Sequence, residues 1–189
     1  MSKVIIGSNN ESFIAAYENA LLYYVYGRVT LNTDWFLFLL PSIFYFFHHS
    51  VEVSIKTLLT LGNIKYPDRG QNGHKTCVLL LLAANSGSFS KNISNLIKNQ
   101  DLLDLLKAMD DSYLKNKYEY PGYNLRGVRF VELIDEIIFI FFEEINSVLK
   151  SKVPPHALAT LNVPSSVEKM FLHKLKKPFS YTALGFRED

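Results

Sequence analysis

Apolar residues recur every three or four positions along most of the first 150 residues, and this spacing constrains the fold most. Between Glu11 and Val29 they fall on one stripe of a helix, formed by Phe13, Ile14, Tyr17, Ala20, Leu21 and Tyr24. No segment alternates apolar and polar residues for long enough to form a sheet. The spacing therefore predicts an all-α fold, in which helices bury their apolar stripes against one another.

The same spacing predicts five further helices. They are expected from Thr33 to Leu61, from Asn72 as N-cap to Ala84, around Ile93–Ile97, from Leu102 to Lys117 and from Leu125 to Leu149. Pro41 either kinks the first of these or starts a second piece. Gly62 is expected to end that helix as its left-handed residue, and 63–73 is expected to be a loop.

The chain divides at about residue 150. Residues 1–150 are predicted to form a bundle of four to five helices, whereas prolines interrupt every pattern in 151–189. From residue 150 onward, seven basic residues face three acidic ones, so this part carries +4 while the rest carries −2. We interpret 151–189 as a basic extension that wraps the bundle or contacts a protein partner.

Composition excludes several classes of protein. A formal charge of +2 argues against a strongly basic protein that coats nucleic acid, and the single cysteine, Cys77, excludes an internal disulfide and a multi-cysteine zinc site. The apolar run Trp35–Phe47 has 13 residues, fewer than the roughly 20 that span a bilayer. We expect a cytoplasmic protein without a membrane segment, metal or cofactor.

Three segments contain candidate binding chemistry. In the first, Glu52 and Lys56 are spaced to pair along one helix, either as a surface ion pair or as the charged lining of a cleft. The second, Asp68 to Lys75, holds glycines, Arg69 and His74 before a helix start; it is either a phosphate site or a surface turn. The third runs from Tyr113 to Tyr123, where tyrosines among lysines either stack on bases or pack at the edge of the core.

Two other features are expected to be inert. We interpret His48 and His49 as packing residues, because adjacent helical positions point about 100° apart and cannot share a metal without further ligands. Cys77 lies in an apolar helix, where a thiol is unreactive.

Taken in order, these motifs resemble the HEPN (higher eukaryotes and prokaryotes nucleotide-binding) family. The resemblance rests on Glu52-x-x-Ile55-Lys56, on Gly73-His74 before a helix, and on Tyr113-x-x-x-Lys117-Tyr118 at a helix end. Arg69 and His74 also match the family's Arg-x4–6-His motif.

The resemblance implies a helical bundle that dimerises and binds nucleotide or RNA, in many members as a metal-independent ribonuclease of a toxin–antitoxin or defence system. It implies that His74 is the general base and that Arg69 stabilises the phosphorane charge. Nucleotide or phosphate contacts are then expected from Glu52, Lys56, Gly73, Lys75, Tyr113, Lys117 and Tyr118. The alternative is a non-catalytic module for dimerisation or protein interaction. Under either hypothesis the seam Val128–Leu149, with near-heptad spacing, is expected to support a homodimer.

Overall fold

A computed structural model describes residues 10–31, 36–115 and 127–152 of the chain. All of the regular structure in these ranges is helical. The segments are α1 (Asn10–Leu31), α2 (Phe36–Leu61), α3 (Gly70–Gly73), α4 (Thr76–Asn85), α5 (Lys91–Leu96), α6 (Gln100–Lys115) and α7 (Gly127–Lys152). The predicted all-α bundle is confirmed.

Helix α2 is the centre of the bundle. It packs against α1, α4, α6 and α7, and α5 closes the structure between α4 and α7. Its apolar side chains Phe47, Val51, Ile55 and Leu58 are fully buried. Pro41 lies within a single continuous helix, so α2 is not two separate pieces. Because α2 is contacted on so many sides, several of its polar residues, among them His48 and Glu52, are buried together with its apolar ones.

The polypeptide leaves α2 through a left-handed residue at Asn63, not at Gly62 as predicted. Asn63 has a φ of 55°, and the amides of Asn63 and Ile64 donate to the carbonyls of Thr60 and Leu59, which is a Schellman ending. Gly62 itself packs closely against another residue. A Cβ at this position would lie 2.9 Å from Cζ of the Phe89 ring, so that a larger residue would displace this ring.

The predicted loop 63–73 contains the single helical turn α3, so it is not irregular throughout. The seam of α7 is also placed differently from the expectation. Its described members Ile134, Ile138, Phe141, Ile145 and Leu149 are fully buried within this one chain. Because this part of the seam packs against its own bundle, it gives no support to a homodimer.

A buried ion pair joins α1 to α7. Arg28 lies 3.0 Å from Asp135, and the Tyr24 hydroxyl donates to the same carboxylate at 2.7 Å. Along the same interface, burial raises the pKa of Tyr17 to about 12 although Asn146 donates to its hydroxyl. These polar contacts fix the register of two otherwise apolar helices.

Two statements complete the description of the fold. None of the helices in the described ranges is long and apolar enough to cross a membrane. Helix α7 continues two residues past the predicted domain boundary at 150, and 153–189 lie outside the described residues.

We predict that Asp135→Ala lowers the free energy of unfolding by about 3–5 kcal/mol, because Arg28 would be left buried without its carboxylate. Urea denaturation followed by circular dichroism measures the change. The exposed neighbour Glu136 provides the control, since Glu136→Ala removes the same charge from the surface. A loss for Asp135→Ala no larger than that for Glu136→Ala would contradict the role of the ion pair.

Candidate functional site

Three polar residues form a row along α2 at intervals of one turn. His48, Glu52 and Lys56 are four residues apart and therefore share one face of the helix. His48 and Glu52 are buried, with 1% and 3% of their surface exposed, while Lys56 reaches partly into solvent. The interpretation of Glu52 and Lys56 as a surface ion pair is therefore wrong, because the carboxylate lies inside the protein.

The segment between α2 and α4 brings His74 to this row. Tyr66 is anchored by a 3.0 Å contact between its hydroxyl and that of Thr60. The turn α3 then folds back so that Gly73 packs on the backbone of Pro67 and Asp68, where a Cβ would lie 2.9 Å from the Asp68 carbonyl carbon. This close approach requires a residue without a side chain, and it places His74 directly before α4.

Glu52 is the acceptor at which the row and the loop meet. Its Oε1 accepts a hydrogen bond of 2.6 Å from Lys56 Nζ and lies 3.0 Å from His74 Nδ1. Burial alone would raise the pKa of Glu52, but the hydrogen bond and charge of Lys56, the hydrogen bond of His74 and the charge of His48 together outweigh burial and lower it. Glu52 is therefore a buried anion at neutral pH.

This contact assigns different roles to the two ring nitrogens of His74. Since a carboxylate only accepts hydrogen bonds, Nδ1 carries the proton that points at Glu52. In this tautomer Nε2 carries the lone pair, and the hydrogen bonds of the described residues include none to it. About a third of the side chain, 35%, is exposed. The result is an oriented and partly exposed imidazole.

A second buried carboxylate, Asp110 of α6, holds the start of α4. Its oxygens accept hydrogen bonds from the Thr76 and Cys77 amides at 2.8 and 3.2 Å and from the Thr76 hydroxyl at 2.7 Å. Asn72 was expected to cap this helix, but Lys75 occupies the N-cap position and contributes no side-chain bond. Because Asp110 takes these amides, they are not available to a phosphate.

Asp110 also binds the row on α2. Its Oδ1 lies 3.1 Å from His48 Nε2, and His48 Nδ1 lies 3.9 Å from Glu52 Oε2. We call His48, Glu52, His74 and Asp110 the histidine–carboxylate cluster. The sequence predicted that His48 is a packing residue. The structure shows that His48 also lies between the two buried carboxylates.

Aromatic rings cover one side of the histidine–carboxylate cluster. The Tyr113 ring stacks on His48 with centroids 4.5 Å apart and lies 5.3 Å from His74. Tyr45 stacks beside Tyr113 at 6.2 Å and is 40% exposed. Burial, reinforced by the charge of Glu52, raises the pKa of Tyr113, so its phenol stays neutral at physiological pH.

His49 is a packing residue, as predicted. Its ring contacts Tyr23 edge-on at 4.3 Å and is parallel to Tyr45 at 5.8 Å. Burial lowers the pKa of His49 more than the nearby charge of Glu52 raises it, so the ring is neutral at pH 7.

Two described residues of the predicted site, Arg69 and Lys75, have side chains that make no hydrogen bond or ion pair with the histidine–carboxylate cluster. Arg69 is exposed on the bend before α3, and within the described ranges neither Arg69 nor Lys75 has an ion-pair partner. Lys117 and Tyr118 lie outside the described residues. The structure thus brings Glu52, Lys56, His74 and Tyr113 together and leaves Arg69 and Lys75 apart from them.

Two residues of the histidine–carboxylate cluster were not among the predicted site residues. The signal for His48 was its position one turn before Glu52, on the same helical face. The signal for Asp110 was a charge four residues after Leu106, on the apolar stripe of α6. Both are polar residues at positions where the helical period requires an apolar one.

Within the described residues, no group of three or more His, Cys, Asp or Glu side chains is arranged to hold a metal ion. Cys77 is partly buried, and burial together with the charge of Asp110 raises the pKa of its thiol.

We predict a pH dependence of stability that belongs to Glu52. In the unfolded chain Glu52 has its ordinary pKa near 4.5, and in the folded chain its pKa is lower, so its ionised form stabilises the fold above pH 4.5. The unfolding free energy of the wild type minus that of Glu52→Gln should therefore decrease as the pH falls through the folded pKa. Urea titrations between pH 7 and 3 measure it, with Glu136→Gln as the exposed control. A difference that does not change with pH would contradict the assignment.

No protein-family model, no characterised protein and no solved structure matches this chain. Its function must therefore be inferred from the chemistry of the side chains that the fold brings together.

Proposed function

We propose that this chain binds RNA and cleaves it without a metal, with His74 as the general base. The observation that supports this most is the contact between Glu52 Oε1 and His74 Nδ1, 3.0 Å long, which directs Nε2 away from the carboxylate and leaves it without a hydrogen bond to any described residue. A carboxylate that fixes an imidazole in this way raises its ability to take a proton at the opposite nitrogen. Such a pair suits the removal of a proton from a hydroxyl.

The reaction is an internal transesterification of the RNA backbone. His74 Nε2 takes the proton of a ribose 2′-hydroxyl while the 2′-oxygen forms a bond to the adjacent phosphorus. The bond from phosphorus to the 5′-oxygen breaks, and this oxygen takes up the proton that the imidazolium releases through water. The products are a 2′,3′-cyclic phosphate and a 5′-hydroxyl, and His74 returns to its neutral form.

The charges around His74 suit these steps. Glu52 stabilises the imidazolium that forms during the reaction, and Lys56 holds the Glu52 carboxylate in place at 2.6 Å. The negative charge of the phosphorane needs a cation, and Arg69 is five residues from His74 in the same connecting segment. Arg69 has no ion-pair partner in the described part of the chain, so its guanidinium is available to a phosphate.

The rings beside His74 suit a nucleobase. Tyr113 lies 5.3 Å from His74, and the partly exposed ring of Tyr45 continues the same stack. Bases stack on aromatic side chains with little dependence on sequence. A nucleotide next to the scissile phosphate would therefore find a stacking surface at the proposed catalytic base.

The resemblance to the HEPN family points in the same direction. Glu52, Lys56, His74 and Tyr113 are among the residues that carry the resemblance, and they lie together. A role as the toxin of a toxin–antitoxin pair or in defence, and a homodimer, remain parts of this proposal. The alternative is a non-catalytic interaction module that uses the α7 seam and the basic extension. The described side chains of the seam are buried in the bundle, and 153–189 lie outside the described residues.

We predict that the wild type cleaves single-stranded RNA in EDTA and that His74→Ala lowers the initial rate by about 10²–10⁴-fold, the usual contribution of a general base. Gel analysis of a labelled oligonucleotide measures the rate. Val78→Ala, an exposed substitution on α4, should cleave like the wild type. Equal rates for His74→Ala and the wild type would exclude His74 as the base.

A separate comparison tests the charge that the phosphorane needs. Arg69→Ala should lower the rate by about 10²-fold, because a donor to the developing negative charge is lost. Lys65→Ala removes an exposed cation of the same loop and should leave the rate unchanged. If both variants lose activity equally, Arg69 contributes only general electrostatic attraction.

A further inference from the structure

Asp110 is bonded to the two elements that carry the proposed catalytic pair. Glu52 belongs to α2, while His74 immediately precedes α4. The contact between them therefore crosses from one element to the other, and its length depends on how α2 and α4 are held together. Asp110 belongs to a third helix, α6, and contacts both.

The bonds of Asp110 to α4 fix the position of His74 in the chain. Three donors of Thr76 and Cys77 lie within 3.2 Å of its oxygens, and Thr76 follows His74 by only two residues. A helix N-terminus held by a carboxylate cannot slide or rotate without breaking several charge-assisted bonds. The backbone at His74 is thereby constrained from the side of α4.

The bond of Asp110 to α2 fixes the row that contains Glu52. His48 Nε2 lies 3.1 Å from Asp110, and since the carboxylate accepts, this nitrogen carries a proton. His48 Nδ1 then faces Glu52 Oε2 at 3.9 Å, which is too long for a hydrogen bond. Neither atom has a hydrogen-bond partner in the described ranges. Tyr113, one turn beyond Asp110 on α6, stacks on the same His48 ring.

We propose that Asp110 is a positioning residue of the site, which sets the contact between Glu52 and His74 by holding His48 of α2 and the start of α4 together. Its importance for cleavage rests on the proposed function, whereas its effect on the orientation of His74 does not. Asp110 touches no substrate and acts only through these neighbours.

The experiment compares the full-length wild type with Asp110→Asn. The amide keeps the shape of the side chain but presents an N–H group toward donors, so one of its bonds must break. Nitrogen-15 chemical shifts of the His74 ring report which nitrogen carries the proton. We expect the Nδ1–H tautomer in the wild type and a shift toward Nε2–H in the variant. In the RNA-cleavage assay, kcat should fall about 10- to 100-fold with KM little changed, as misplacement of a catalytic group predicts.

The matched control is Asp104→Asn, which removes an exposed carboxylate from the same helix and should change neither the tautomer nor kcat. If Asp110→Asn does not fold, Thr76→Val is tested in its place, because this variant loses only the hydrogen bond from the Thr76 hydroxyl to Asp110. Thr76→Ser keeps a hydroxyl at this position and should show the wild-type tautomer of His74. The proposal is overturned if the His74 tautomer is unchanged in folded Asp110→Asn. If that variant does not fold, an unchanged tautomer in Thr76→Val overturns it instead. That result can be read even if the wild type proves unable to cleave RNA, so failure of the proposed function is distinguishable from failure of the positioning role.

Discussion

The structure depends on the pairing of charges that the bundle buries. A buried carboxylate without donors would destabilise the fold strongly, so each one must be surrounded by groups that supply hydrogen bonds. Asp110 receives them from His48 and from the start of α4, and Glu52 from Lys56 and His74. Meeting this requirement also orders the histidines, because each imidazole must present a particular nitrogen to its carboxylate. The stability of the helix contacts and the geometry of the candidate site therefore have the same cause.

The position of α2 makes this arrangement possible. Its apolar faces are buried by four neighbouring helices, so the row His48, Glu52 and Lys56 is satisfied partly within α2, by the bond from Lys56 to Glu52, and partly by side chains from other elements. The row meets His74 from the connecting segment and Asp110 from α6. The same helix is thus both the core of the bundle and one wall of the site. Lys56, at the outer end of the row, reaches partly into solvent, as does the His74 side chain that Glu52 binds.

The helices could be predicted from the sequence because apolar spacing is a local property. The stripe of α1 and the boundaries of α5 and α6 follow from it within a few residues. The sequence predicted that α2 ends at a left-handed Gly62, whereas Asn63 takes that conformation and Gly62 packs against Phe89, a residue that lies far along the chain. The cap of α4 was misassigned for a similar reason: it comes from Asp110, which is 34 residues from Thr76. Spacing along a chain does not reveal partners of this kind.

The central claim is that His74 activates a ribose 2′-hydroxyl, and a chimeric oligonucleotide tests it most directly. A DNA strand with one ribonucleotide is incubated with the protein in EDTA, and the products are identified by mass spectrometry. The account predicts cleavage only on the 3′ side of the single ribose, with a 2′,3′-cyclic phosphate on one fragment and a 5′-hydroxyl on the other. Cleavage at deoxyribose positions, or a linear phosphate formed directly, would contradict it.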